Sequence, residues 1–188
     1  MFPRLSSSPA SRVALSVTVG LAWGFRSVLA LGHPVYWEPA TALDWVAVVS
    51  YSVALMLLAL AMVVLPELAG RRRAVQVASW FVAIAALVTA VANLAEDAFD
   101  LSSFGAAFVG GALALFGALL VLAVILAAAR PRALALVPLA TLMGIGTMEA
   151  GGGALVLVAW LAVAVLAWRR SRPSAHVETG LEHRRTLA

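Results

Sequence analysis

The sequence predicts an all-α fold: a polytopic membrane helical bundle of six transmembrane helices, with both termini cytoplasmic. Three observations predict it. The chain of 188 residues is 63% hydrophobic and only 12% charged, whereas soluble domains are about half apolar and about a quarter charged. A soluble domain near this size still leaves roughly a third of its unfolded-chain surface exposed, so the apolar surplus faces lipid. Apolar runs long enough to span a hydrocarbon core of about 30 Å recur along the chain. Finally, all 13 Lys and Arg are arginine, and most cluster at the ends of those runs, as cytoplasmic loops do.

The elements follow in order. Residues 1–12 are polar and form an N-terminal cytoplasmic tail. Spans are expected at 13–31, 45–65, 75–95 and 104–129, each within or near the range of about 17–25 residues that a crossing requires. The next apolar stretch, 133–168, would be about 54 Å long as one helix, too long for one crossing. It contains Pro138, Gly144, Gly146 and the triplet Gly151 to Gly153. It therefore reads as a hairpin of spans 133–147 and 152–168 about a turn at "MEAGGG", the first of the two short enough to be re-entrant instead. Residues 169–188 form a disordered cytoplasmic tail.

Six crossings place Arg4, Arg12, Arg71 to Arg73, Arg130, Arg132, Arg169, Arg170 and Arg172 on one side, with no arginine in the outer loops. Five would put the arginine-rich C-terminal tail outside. Tyr36, Trp37 and Trp45 then mark the outer interface, and Trp80 and Trp168 the inner one. The expected location is the cell membrane, specifically a bacterial inner membrane. A competing reading takes residues 1–32 as a secretory signal cleaved after "ALG".

Once the topology is set, Glu38, Asp44, Glu96, Asp97, Asp100 and Glu149 all fall at or near the outer boundary, where Arg26 is the sole arginine. Asn93, Glu96, Asp97 and Asp100 recur at i, i+3, i+4 and i+7, which makes one polar stripe along a helix. An ionisable group inside a span costs a few kcal/mol and is usually paired or lines a pathway. Arg26 therefore has three expected fates. Its stem snorkels to the headgroups, it pairs with Glu96, Asp97 or Glu149, or it handles a ligand. The loop between the first two spans adds His33, Trp37 and Glu38, framed by Pro34 and Pro39, as a candidate lid. The candidate ligand-binding set is thus Arg26, His33, Trp37, Glu38, Asn93, Glu96, Asp97, Asp100 and Glu149. A divalent cation among His33, Glu38, Glu96 and Asp97 has no supporting ligand spacing, and no metal is expected.

Pro66 should end or kink the second span. Glu67 lies four residues before Arg71, which suggests a helix-end pair. Pro138, Gly144 and Gly146 should loosen the fifth span. Small residues let helix backbones approach closely, so Gly20, Gly24, Gly110 and Ala114 are expected either to pack the bundle or to bind a second copy or another membrane protein.

Catalytic parts are missing from the sequence. There is no cysteine, no histidine within a span, and none of the GxSxG, HExxH, Walker or GxGxxG motifs. No catalytic residue, no cofactor and no nucleic-acid partner are expected. The expected role is a non-enzymatic multi-pass protein whose outer polar pocket binds or transports a small ligand, lipid headgroup or ion. The alternative is an assembly protein whose outer charges are purely structural.

Overall fold

The computed structural model describes residues 8–32, 39, 41–70, 72–99, 104–129 and 131–171. Of the tails expected at 1–12 and 169–188, residues 9–12 and 169–171 are not disordered but continue the first and last helices; residues 1–7 and 172–188 lie outside the described residues, as do His33, Trp37, Glu38 and Asp100. Among the described residues every regular element is helical: α1 Pro9–Gly32, α2 Ala42–Ala61, α3 Val64–Leu68, α4 Arg73–Phe99, α5 Gly105–Ala128, α6 Leu136–Gly146 and α7 Gly153–Ser171. Five helical segments are long and apolar enough to cross a membrane, with α2 and α3 counting as one, and Arg132–Gly146 is a shorter apolar sixth. A 3-10 turn, Arg132–Ala135, leads into α6, and another, Met148–Ala150, follows it.

The helices pack as a ring in the order α1, α2, α4, α5, α6, α7 and back to α1. Each long helix turns one stripe inward. In α5 that stripe is Gly111, Leu115, Leu119, Leu122 and Leu126, which repeats at three to four residues as one helix face must. The remaining directions stay apolar and exposed, with Val28 69%, Leu113 67% and Val158 67% accessible. Apolar exposure on this scale suits lipid and not water.

α2 begins with a capping box. Thr41 Oγ1 accepts from the Asp44 amide (3.2 Å), and Asp44 Oδ2 accepts from the Thr41 amide (2.7 Å), satisfying donors that a helix start leaves free. The helix breaks at Met62–Val63, before α3. Pro66 explains the position, because a proline ring clashes with the carbonyl four residues earlier, here that of Met62. Pro138, by contrast, sits in the first turn of α6, where its missing N–H costs nothing.

Of the two glycines in the fifth span, Gly146 has open space beside it, whereas Gly144 is tightly packed. A Cβ on Gly144 would collide with Val156 and with the Gly152 carbonyl, so this glycine lets α6 approach α7. The turn between them closes through Gly151, at φ +86°, a left-handed conformation that favours glycine.

Contacts between helix ends divide the bundle into two ends. Leu31 touches Gly151, Trp23 and Ser27 touch Gly153, and Glu96 touches Gly105. Opposite them, Arg12 pairs with Glu67 (Nε to Oε2, 3.2 Å), and Arg170 donates to the Leu68 carbonyl. Glu67 thus reaches α1, and the expected partner Arg71 lies outside the described residues. The second set also includes Arg72, Arg73, Arg132 and Arg169 and forms a basic end. The first holds Asp44, Glu96, Asp97 and Glu149 and forms an acidic end. Arg26 lies on the acidic side, six residues from the end of α1, or about 9 Å along the axis.

Candidate functional site

The site is built on the inward face of α1. Trp23, Arg26, Ser27 and Ala30 are all buried, three to four residues apart as neighbours on one face must be. α1 and α7 run antiparallel and close together, and glycine makes that approach possible. Gly20 and Gly24 meet Leu157 of α7, and a Cβ on Gly153 would strike the Trp23 carbonyl. The turn carrying Glu149 is thereby drawn against α1 beside Arg26. From the other side α2 brings Tyr51, whose ring meets that of Trp23 edge-on, 5.9 Å between centroids and 89° between planes.

Arg26 is only 8% exposed. Its side chain is enclosed by the bundle, so the snorkelling geometry is not adopted. Its Nε and Nη1, both buried, have no hydrogen-bond partner among the described residues, and neither has Trp23 Nε1 one turn away. Among the described residues no carboxylate lies within 4 Å of the guanidinium. Tyr51 and Glu149 are the ionisable groups among the described residues whose fields reach it. Glu149 itself is exposed. Of the three carboxylates expected to answer Arg26, only this one shares its surroundings, and it does so at a distance.

The polar stripe on α4 is used elsewhere. Asn93 Nδ2 donates to Ser52 Oγ of α2 at 3.0 Å. Glu96 leans over Gly105, so that a Cβ there would come within 2.7 Å of its Oε1. That places a carboxylate at the N-terminus of α5, where the helix dipole favours negative charge. Asp97 is half-buried and feels Glu96 as a like charge. Asn93, Glu96 and Asp97 therefore serve the α2–α4–α5 side of the ring, while Arg26 serves the α1–α2–α7 side. Among the described residues no three His, Asp or Glu side chains gather as metal ligands.

Two participants, Trp23 and Tyr51, are not among the candidates that the sequence offers. Both read there as ordinary span residues, and only the position of Arg26, three residues after Trp23, hints that those two share a face. Comparison of the chain with protein-family models, with curated proteins and with solved structures finds no match.

Proposed function

We propose that this is a non-enzymatic multi-pass protein of a bacterial inner membrane, both termini cytoplasmic, that holds the oxyanion of a ligand at Arg26 in the outer half of the bundle. The observation that carries the reading is a buried guanidinium with two nitrogens lacking acceptors. An unpaired buried charge costs several kcal/mol, and an oxyanion offers the acceptors that two guanidinium N–H groups and the Trp23 indole N–H lack. Glu149 already offsets part of the charge from outside. The site therefore suits a singly charged group, a carboxylate or phosphodiester, better than a doubly charged phosphate.

Native mass spectrometry of the purified protein tests this. Wild type is expected to retain one defined anionic molecule, and Arg26→Gln to lose it while keeping its helical circular dichroism. Equal retention by the variant contradicts the reading.

A second reading, assembly through helix faces, draws support from α5. Gly110 faces outward, and a Cβ added to it would meet nothing within 4 Å. Ala114, one turn on, is exposed as well. Gly20 and Gly24, by contrast, already pack against Leu157 within the chain.

A further inference from the structure

Trp23 and Tyr51 lie at one depth in the bundle. Trp23 comes nine residues before the end of α1 at Gly32, and Tyr51 nine residues after the start of α2 at Ala42. Each is therefore about 13.5 Å from the acidic end along its helix. Their edge-on ring contact fixes that shared level independently. Arg26 sits one turn nearer the acidic end, on the same face of α1 as Trp23.

The two helices run in opposite directions, α1 towards the acidic end and α2 away from it. Helical side chains lean towards the N-terminus of their own helix. The guanidinium of Arg26 is thus carried down towards the level of Trp23, and the phenol of Tyr51 is carried up towards the level of Arg26. The two polar tips converge between the same pair of helices, and each lies within the other's electrostatic field. The same lean explains why Arg26 is enclosed instead of reaching for the headgroups.

Tyr51 has a shortage of partners of its own. Among the described residues its hydroxyl makes no hydrogen bond, although both neighbouring hydroxyls find one. Ser50 donates to the Ala47 carbonyl at 2.9 Å, and Ser52 accepts from Asn93 at 3.0 Å. A tyrosine whose ring packs in an apolar interior usually gives its O–H a partner. Donors of Arg26, Trp23 and Tyr51 therefore come together from two helices, while Glu149 stays exposed at the turn. An oxyanion among them has lone pairs enough for donors of all three kinds.

Resting on the oxyanion reading of Arg26, we propose that Tyr51 is a ligand-binding residue. Its hydroxyl donates to the oxyanion that Arg26 and Trp23 hold, so that the bound group bridges α1 and α2. A neutral phenol adds a hydrogen bond without adding charge, which keeps the site suited to a singly charged group.

The experiment uses the full chain in detergent with its six tryptophans labelled with nitrogen-15 at the indole. A Trp23→Phe variant identifies the Trp23 signal. Acetate and dimethyl phosphate, a carboxylate and a phosphodiester, are titrated separately. At least one of them is expected to shift the Trp23 indole signal of wild type to saturation. Its affinity should fall about tenfold in Tyr51→Phe, as for the loss of one hydrogen bond to a charged group, and vanish in Arg26→Gln. Tyr51→Phe keeps the ring against Trp23, so its melting temperature without probe should match wild type. A lowered melting temperature with unchanged affinity makes Tyr51 a packing residue and overturns the proposal. Unchanged affinity in Tyr51→Phe alongside loss in Arg26→Gln also overturns it and leaves the oxyanion reading standing. Unchanged affinity in both variants, or no saturable shift in wild type with either probe, overturns both.

Discussion

Asn93 and Ser52 face each other across the α2–α4 interface, the amide nitrogen donating to the hydroxyl oxygen at 3.0 Å. This bond takes the first member of the α4 polar stripe away from Arg26. It also sets an expectation for stability, since interhelical hydrogen bonds within bilayers contribute about 0.6 to 2 kcal/mol. Asn93→Ala and Ser52→Ala should each destabilise the bundle by about 1 kcal/mol, and the double variant by hardly more than either alone. Chemical denaturation in mixed micelles measures this, and strict additivity counts against the bond.

Glycine substitutions separate packing inside the chain from packing outside it. Gly153→Ala drives a methyl group into the backbone carbonyl of Trp23 and towards Ser27 Cβ at 2.8 Å, so α7 must shift from α1. A loss of about 1–3 kcal/mol is expected, the usual cost of overpacking. Gly110→Ala meets nothing within 4 Å and should be neutral or stabilising, because alanine is the better helix former by about 1 kcal/mol. Thermal melts of the two variants check the contrast. Loss of a dimer in Gly110→Ala would favour the assembly reading of α5.

At the basic end, the Arg12–Glu67 pair ties α1 to α3 with both side chains mostly buried, 23% and 10% exposed. Removing Glu67 strands the Arg12 charge, and removing both relieves it. Glu67→Leu alone should cost about 1–2 kcal/mol, and adding Arg12→Met should recover most of that. A double variant less stable than Glu67→Leu runs against a pair that matters in this way.

The sidedness is open to direct labelling, because the chain has no cysteine of its own. Ala150, in the turn before α7, and Ser171, at its end, are both exposed. A membrane-impermeant maleimide should label Ala150→Cys in intact cells and Ser171→Cys only after lysis. Labelling of Ala150→Cys only after lysis and of Ser171→Cys in intact cells would mean that Arg132–Gly146 does not cross.

Much of the architecture is legible in the chain, because span-length apolar runs and clustered arginines are local signals. The expected span 104–129 corresponds to α5, and 133–147 to the turn and helix Arg132–Gly146. Even the break in the second span follows from Pro66, although the helix parts four residues earlier, where the ring would clash. The site is less legible. Periodicity identifies Asn93, Glu96 and Asp97 as one face, but a helical repeat does not say which neighbour that face meets. The ring order decides it, placing α4 between α2 and α5, and α1, with Arg26, between α2 and α7. Nor does sequence separation show that Glu149, 123 positions along the chain from residue 26, comes closer in effect than the α4 carboxylates.

Whether the charge of Arg26 is answered from outside the chain is decided most directly by double-mutant cycles on the delipidated protein. Arg26→Gln is paired with neutralisation of Glu38, Glu96, Asp97, Asp100 and Glu149 in turn. Couplings well below that of a buried ion pair are expected, no larger than about 0.5 kcal/mol for Glu96 and Asp97, which share no contact with Arg26. A coupling of about 3 kcal/mol or more with any one of these carboxylates, the size expected of a buried ion pair, would place the counter-charge within the chain and refute an external one.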